Sequence, residues 1–400
     1  ENIRAIEDLL HQTDKLDIPG ILICIDFQKA FDSIDWTFIE LTLKKFNFGQ
    51  SFIHWIETFY KNISSCIINN GTTSRYFQLR RGVRQGDPLS PYLFILAAEI
   101  LSSTVRQKGE IKGIKLRNRE LRVLQYADDT VGIFSDLQSA KYFLNIVEEF
   151  GTFSGLKLNK DKTEGIWIGS NRYKTSQPLG ILWPKEPVRL LGIYISYNER
   201  ENHKLNFENR IKKCKQIIDM WHTRNLTLLG RIQIIKSFIT SQFSYVTSVI
   251  AIPEKYLTEI NNLIFKFIWK NKKDKLKRTL MQSKIENGGL RVPDIFLTVK
   301  ASRIMWVKKF INPYHHEWKT LFEHALITSG LNPEIVLTCN LDLKQWCLKP
   351  SLSMFYQEVL TEWFKSNNSS LFSKNQIIWY NKNITIDKKP IFIQEFLTIG

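Results

Sequence analysis

The sequence predicts an α+β fold in which an antiparallel sheet backed by helices is followed by a long, basic helical region. Short apolar segments rich in β-branched residues, at residues 21–27 and 121–134, are typical of buried strands. Between them and after about residue 200, apolar residues recur at helical spacing. The expected domains are 1–200, 201–311 and 312–400, and the last has no assigned role.

Turn and cap signals place the individual elements. A turn at residues 17–20 separates a first amphipathic helix from the first strand. Asn70-Gly71 between two apolar stretches is a strong signal for a hairpin turn, and Pro88 with Ser90 marks a helix start. In chain order we predict a helix at 1–16, a strand at 21–27, a helical pattern at 36–62, a hairpin at 66–79, a helix at 88–106, strands within 121–134, a helix at 137–153, and strands at 164–168 and 188–195.

An excess of positive charge predicts a polyanionic partner. The 400 residues include 56 Lys and Arg against 39 Asp and Glu, a formal net charge of +17. Residues 201–300 alone have 19 Lys and Arg against 8 Asp and Glu, so most of the surplus lies in one quarter of the chain. Such side chains bind phosphates without reading sequence. No apolar run is long enough to span a bilayer and no signal peptide opens the chain, so we expect neither a membrane partner nor secretion.

The cysteines indicate a reduced compartment and no zinc site. None of the five forms a C-x-x-C pair, and none has a histidine at zinc-ligand spacing. They are Cys24, Cys66, Cys214, Cys339 and Cys347. Their scatter is typical of mostly buried thiols.

Two acidic sites stand out because their carboxylates follow or interrupt apolar strands. Asp26 lies at the end of the first strand, and Asp128-Asp129 interrupt the second apolar segment, as at the tip of a hairpin. Clustered carboxylates are unfavourable there unless cations neutralise them. Two divalent ions roughly 3.5–4 Å apart would remove the repulsion and support phosphoryl transfer. The alternatives are an exposed Asp-Asp turn and an Asp26 that only caps the following helix.

An ordered set of motifs strengthens the catalytic interpretation. The motifs are Asp26-Phe27-x-Lys29-Ala30-Phe31-Asp32, Arg84-Gln85-Gly86-x-Pro88-Leu89-Ser90-Pro91, Tyr126-Ala127-Asp128-Asp129, Gly155-Leu156-Lys157-Leu158-Asn159-x-x-Lys162-Thr163, Leu191-Gly192-Ile193, Leu228-Leu229-Gly230-Arg231, Phe267-Ile268-Trp269 and Gly288-Gly289-Leu290. Over about residues 1–311 the chain resembles the reverse transcriptase of LINE-type (non-LTR) retrotransposons. The resemblance implies a right-hand polymerase palm with partial fingers, followed by a helical thumb.

The resemblance also implies a catalytic centre. Asp26, Asp128 and Asp129 would be the catalytic acids, and the backbone carbonyl of Phe27 would add a metal ligand. The cofactor would be two Mg²⁺ ions, for which Mn²⁺ can substitute. Lys162 corresponds to a candidate general acid that protonates the pyrophosphate leaving group, although a plain surface lysine is an equally good interpretation.

Further matched residues would bind substrate. Phe31 occupies the position at which a bulky ring selects deoxynucleotides by clashing with a ribose 2′-hydroxyl, whereas the residue alone would suggest a core aromatic. The loop Arg84-Gln85-Gly86 would support the templating base and the incoming nucleotide, with a simple helix-entry turn as the alternative. Leu191-Gly192-Ile193 would lie in the hairpin that grips the primer end.

The implied partners are an RNA template, a DNA primer and dNTPs, with no protein partner indicated. The basic helices at 204–278 would lie along the backbone of the RNA–DNA hybrid. The implied location is intracellular and nuclear, within a retrotransposon ribonucleoprotein.

Some parts of the family pattern are absent from this sequence. The early fingers motifs, an endonuclease domain and a C-terminal Cys/His knuckle are not found, so we expect a truncated segment with weak or no activity on its own. The alternatives are an inactive nucleic-acid-binding remnant and a group II intron maturase. The intact acids disfavour the remnant, and the Gly-Asp-Pro-Leu-Ser-Pro and Phe-Ile-Trp segments disfavour the maturase.

Overall fold

The computed structural model describes residues 1–116, 119–184, 187–314, 316–338, 352–367, 385–386 and 389–390. The predicted α+β class is confirmed, with antiparallel strand pairs and a majority of helix. The chain divides into two compact units, described here as the sheet unit (Asn2 and residues 12–185) and the helical unit (Glu1 and residues 3–11 and 186–400). The predicted domains at 1–200, 201–311 and 312–400 stay a prediction. Cys339 and Cys347 lie outside the described residues.

A four-stranded antiparallel sheet forms the centre of the sheet unit. Its strands lie in the order β10-β1-β9-β8, and the inner strand β1 is buried along its whole length. Because β1 is covered on both faces, it is apolar at nearly every position rather than alternating. The bounds are β1 Gly20–Ile25, β8 Val123–Tyr126, β9 Asp129–Phe134 and β10 Glu164–Ile168.

Helices pack against one face of this sheet. Alternate β1 residues Ile21, Ile23 and Ile25 join the buried core with apolar residues of α3 to α6. Within the predicted helical pattern at 36–62 the chain breaks into two helices, because Asn47 adopts a left-handed φ of 59° just before Gly49. The bounds are α2 Ala30–Ser33, α3 Trp36–Lys45, α4 Gln50–Tyr60, α5 Ser90–Gln107 and α6 Leu137–Ser154. Helix α1 Asn2–Lys15 precedes β1 in the chain, and most of its residues belong to the helical unit.

Two peripheral strand systems complete the sheet unit. The predicted hairpin at 66–79 is confirmed in outline, with Asn70-Gly71 at its tip and both residues at positive φ. Its strands are β2 Ser64–Ser65, β3 Ile68–Asn69, β4 Thr72–Thr73 and β5 Phe77–Gln78. A second pair comprises β6 Ile114–Leu116 and β7 Arg119–Leu121.

The helical unit begins with a two-stranded hairpin and continues almost entirely as helix. Two helices contain π-helical turns, at Lys204–Glu208 and Ile235–Ile239. The bounds are β11 Val188–Leu190, β12 Ile193–Ile195, α7 Glu199–His203, α8 Asn209–His222, α9 Leu228–Ile234, α10 Ser241–Val249, α11 Glu254–Ile268, α12 Arg278–Gln282, α13 Ile295–Ile311, α14 Glu317–Thr328, α15 Pro333–Thr338, α16 Met354–Asn367, β13 Thr385–Ile386 and β14 Lys389–Pro390. None of the described helices is long and apolar enough to cross a membrane.

Buried arginines cap the C-terminal end of α10. The last carbonyls of a helix have no partner within the helix, so they need donors from elsewhere. Arg4 donates to the Val249 carbonyl at 3.0 Å, and Arg303 donates to the Ile250 carbonyl at 2.9 Å. Their charges are matched by Asp8 and Glu358, with Arg303 Nε 2.7 Å from a Glu358 oxygen. The helix α16 that carries Glu358 is therefore an integral part of the helical unit.

Candidate active site

Strand register brings two of the predicted catalytic acids opposite each other. Strands β1 and β9 pair antiparallel, and their last registered pair is Ile25 with Thr130. The next residue on each strand is Asp26 and Asp129, respectively. Because side chains alternate between faces, these two carboxylates lie on the same face of the sheet, across one strand-to-strand spacing.

The third acid lies in the turn of the β8–β9 hairpin, as predicted. Tyr126 pairs with Asp129, so Ala127 and Asp128 form a two-residue loop. Ala127 has a φ of 54°, which is strained for a residue with a Cβ atom. Buried Thr130 steadies the loop base, since its Oγ1 accepts a hydrogen bond of 3.1 Å from Gln125.

The three acids influence one another electrostatically. Partial burial, followed by the charges of Asp128 and Asp26, raises the pKa of Asp129 above its ordinary value. Burial, with smaller contributions from Glu164 and Asp129, also raises the pKa of the Cys24 thiol. Since Cys24 pairs with Glu164, Glu164 is a further acid on the same face. This face of the sheet therefore concentrates negative charge.

Asn159 holds the carboxylate of Asp26 in place. Its Nδ2 donates a hydrogen bond of 3.0 Å to Asp26 Oδ2, and its backbone N donates one of 2.8 Å to the Asp26 carbonyl. Asn159 is fixed in turn by Thr163, whose hydroxyl donates to the Asn159 carbonyl at 2.8 Å. The sequence places Asn159 in a motif but does not indicate its partner, because the contact spans 133 positions.

The backbone of Phe27 is oriented towards the predicted metal-binding side. Gln28 N donates to the Lys157 carbonyl at 2.9 Å, on the β10 side of the chain. In a trans peptide the N–H and C=O groups point in opposite directions. The Phe27 carbonyl therefore points away from Lys157, towards the side on which β9 and its acids lie.

The structure packs the predicted substrate loop against the helix that carries Phe31. Val83 N donates to the Phe31 carbonyl at 2.7 Å, and the Gln85 amide lies 3.5 Å from an Asp32 oxygen. The Phe31 ring stacks on Phe94 with centroids 4.5 Å apart, yet Phe31 stays partly exposed. Phe31 is therefore fixed like a core aromatic while keeping one edge open, which is compatible with both interpretations of this residue.

Arg84 and Gly86, the other residues of the loop, are exposed. Arg84 donates to the Phe59 carbonyl at 3.3 Å. Gly86 has a φ of 90°, with nothing near the position of a Cβ atom, so backbone conformation rather than space requires glycine here.

Lys162 is exposed in the turn that presents Asn159, with its backbone N donating to the Asn159 carbonyl at 3.2 Å. The structure records no contact between the Lys162 ammonium group and the acids, so its proton-donor role stays a prediction.

The predicted primer-gripping hairpin lies in the helical unit. Leu191 and Gly192 form its two-residue turn with φ of 46° and 79°. The Asn206 side chain clamps it, with Nδ2 donating to the Tyr194 carbonyl at 2.7 Å and Oδ1 accepting from Tyr194 N at 3.0 Å. Arg210 adds a 3.0 Å hydrogen bond to the Gly192 carbonyl. The turn is held firmly although Leu191 is in a conformation that disfavours side chains.

The donor chemistry of the site fits a hard cation. Asp26, Asp128, Asp129 and the Phe27 carbonyl offer only oxygen atoms, which Mg²⁺ and Mn²⁺ prefer. Among the described residues, no three His, Cys, Asp or Glu side chains already form a cluster at metal-binding spacing. The assignment of these residues as ligands stays a prediction.

The sheet is antiparallel and backed by helices, with Asp26 and Asp129 on neighbouring strands and Asp128 in the hairpin turn. Residues 1–195 match the family described as "Reverse transcriptase (RNA-dependent DNA polymerase)". This part of the chain is similar to that family, and the resemblance predicted from the motifs is confirmed.

Relatives from retrotransposons are similar to this chain. The "Transposon TX1 uncharacterized 149 kDa protein" of Xenopus laevis is 25% identical over 317 residues, which are 78% of this chain and 24% of that protein. The "Retrovirus-related Pol polyprotein from type-2 retrotransposable element R2DM" of Drosophila melanogaster is 34% identical over 144 residues, which are 36% of this chain and 13% of that protein. The chain thus spans a quarter or less of these relatives. A structure of apo telomerase from Candida Tropicalis is also similar, at 14% identity and a TM-score of 0.40, over 80% of this chain and 57% of that one.

Proposed function

We propose that this chain is the catalytic region of an RNA-directed DNA polymerase from a non-LTR retrotransposon. It would add dNTPs to the 3′-hydroxyl of a DNA primer along an RNA template, within an intracellular, nuclear ribonucleoprotein. The observation that carries the proposal is the juxtaposition of Asp26 and Asp129 across β1 and β9, next to Asp128 in the hairpin turn. The family match of residues 1–195 supports it.

Each residue has a distinct task in this proposal. Asp26, oriented by Asn159, and Asp128 would hold two divalent ions, and Asp129 and the Phe27 carbonyl would contribute from the same side. When bound, the ions lower the pKa of the primer hydroxyl and neutralise charge on the triphosphate.

Substrate selection and proton delivery fall to the surrounding residues. Gln85 and Gly86 support the templating base and the nucleotide, while Arg84 lies within reach of phosphate. Phe31 excludes a ribose 2′-hydroxyl with its exposed edge. Lys162 protonates the departing pyrophosphate.

The experiment is single-turnover incorporation of dTTP on poly(rA)/oligo(dT) with Mg²⁺, using the full chain. Asp128→Ala should abolish incorporation while binding of the RNA–DNA hybrid, measured by fluorescence anisotropy, is retained. Asp161→Asn is the matched control, since Asp161 is an exposed acid close to Asn159 in sequence. If the unmodified chain incorporates dTTP, equal incorporation by Asp128→Ala would refute the proposal.

The same assay separates the proposed enzyme from an inactive remnant. A remnant would bind the hybrid with no incorporation by any variant, including the unmodified chain. If the unmodified chain is inactive, the assay is repeated on the longer parent protein with the same substitutions.

A further inference from the structure

Helix α4 and the turn before it present an unusual amount of aromatic surface to solvent. The rings of Phe48, Phe52, Trp55 and Phe59 are 36%, 37%, 60% and 51% exposed, respectively. We refer to these four residues as the aromatic stripe. Phe48 and Phe52 lie with centroids 5.2 Å apart, and Trp55 and Phe59 lie 6.0 Å apart. Four adjacent, solvent-facing rings are uncommon on a free surface, where large aromatic patches mark interaction sites.

Helical periodicity shows that the stripe is separate from the core face of α4. The buried residues of this helix are Ile53, Ile56 and Tyr60. At 100° per residue, Phe52 and Phe59 lie within about 20° of each other around the helix axis, and Trp55 lies about 60° from Phe52. The core residues are centred about 100° away from this group. The stripe is thus not needed to bury α4 against the sheet unit.

The sequence around the stripe is strongly basic. Residues 44–84 contain seven Lys and Arg and a single acid, Glu57, a surplus of six. All seven basic side chains are exposed, and within the part of the chain that the structure describes only Lys44 has an ion-pair partner. Lys45 ends α3, Lys61 directly follows α4, and Arg84 is hydrogen-bonded to the Phe59 carbonyl. The charge is therefore complementary to a polyanion.

We propose that the aromatic stripe and its basic flanks bind single-stranded nucleic acid, with unpaired bases stacked on the rings and phosphates on the flanking Lys and Arg. Base–aromatic stacking tolerates any base sequence, and basic side chains supply backbone affinity. A duplex does not fit this surface as well, because its bases are already stacked inside the helix. A single strand uses both features of this surface, because its bases match the rings and its phosphates match the unpaired positive charge.

The aromatic stripe lies beside the predicted substrate loop. Phe59 and Arg84 are joined by a hydrogen bond, so one end of the stripe adjoins the Arg84-Gln85-Gly86 loop. From Phe59 to Phe52 the helix rises about 10 Å, enough for two or three stacked bases. A strand bound there would lead directly to or from that loop.

The test measures binding of fluorescein-labelled twelve-residue oligo(U) and oligo(dT) to the full chain by anisotropy. The assay contains EDTA and no dNTPs, so it does not depend on catalysis. Saturating unlabelled RNA–DNA hybrid is also present, so the assay does not report binding of the hybrid. Trp55→Ala should weaken oligonucleotide binding roughly 5- to 150-fold, the range for loss of one stacked base. Trp55→Phe should restore most of the affinity. The double variant Lys45→Ala/Lys61→Ala should reduce the salt slope of log Kd by about 1.4.

Phe153→Ala is the matched control, because Phe153 is a 67% exposed aromatic on α6, outside the stripe. It should leave oligonucleotide affinity unchanged. A second experiment uses the unmodified chain and photocrosslinking with 5-iodouridine oligonucleotides. The crosslinks should map to the peptide spanning residues 50–60.

Unchanged affinity in Trp55→Ala, or crosslinks confined to other peptides, would overturn the proposal. If Trp55→Ala instead abolished self-association in sedimentation velocity while oligonucleotide binding persisted, the stripe would be a protein interface. These outcomes are separable from a failed polymerase assay, since none of them requires incorporation.

Discussion

Replacing Asn159 by Ala tests how the site positions its first catalytic acid. The substitution removes the 3.0 Å hydrogen bond from Nδ2 to Asp26 Oδ2, but leaves the backbone hydrogen bond to the Asp26 carbonyl. A hydrogen bond to a charged group contributes about 1.5–3 kcal/mol, and loss of a partner behind a metal ligand costs about 10- to 100-fold in metal affinity. We therefore expect Asn159→Ala to weaken divalent-ion binding about 10- to 100-fold.

The assay is a Mn²⁺ titration by calorimetry on the full chain, paired with the Mg²⁺ dependence of single-turnover incorporation. Both midpoints should rise by the same factor in Asn159→Ala, while affinity for the RNA–DNA hybrid stays constant. Asp161→Asn controls for a general disturbance of the segment near Asn159 and should not shift either midpoint. Identical Mn²⁺ affinities for Asn159→Ala and the unmodified chain would refute the claim that Asn159 positions Asp26.

Three further substitutions probe stability, charge and sugar selection. Arg303→Met leaves Glu358 and the Ile250 carbonyl without their buried partner. The free energy of unfolding, measured in urea, should therefore fall by about 3–5 kcal/mol. A loss below about 1 kcal/mol would contradict the role of Arg303 as a cap of α10. The raised pKa of Asp129 means that the folded state binds its proton more tightly than the unfolded state. This charge therefore destabilises the fold as pH rises through that pKa. Asp129→Asn should raise Tm at pH 7.5 by at most about 2 °C, because the group is only half-buried and solvent screens its charge. The gain should shrink as pH falls through the pKa of Asp129, and a lower Tm at neutral pH would contradict the sign. Phe31→Ala should increase incorporation of ribonucleotides relative to deoxynucleotides in the poly(rA)/oligo(dT) assay, and an unchanged ratio would assign Phe31 to the core alone.

Much of the sheet unit could be predicted because its signals are local. The apolar β-branched run before Asp26 and the interruption at Asp128-Asp129 correspond to β1 and to the β8–β9 hairpin. Asn70-Gly71 marks a turn through its own conformational preference. These patterns depend on neighbours in the sequence, so they can be read without the fold.

Contacts between distant segments were not predictable in the same way. The hydrogen bond from Asn159 to Asp26 depends on how the segment after α6 returns beside β1, which no local pattern specifies. The break between α3 and α4 was missed, although Asn47 and Gly49 carry a turn signal within an otherwise helical pattern.

The region after residue 311 gave no functional signal in the sequence. Its α16 supplies Glu358 to Arg303 and Tyr356 to Asp8, so its described helix has a packing role that only the tertiary structure reveals.

The most direct test of the central claim is an anomalous diffraction map of crystals soaked with Mn²⁺. If the three acids converge, the map should show anomalous peaks about 2.0–2.3 Å from carboxylate oxygens of Asp26 and Asp128. Asp129 should lie on the same side of the sheet as these peaks. Mn²⁺ peaks only at other positions, with Asp26 contacting no ion, would contradict the account.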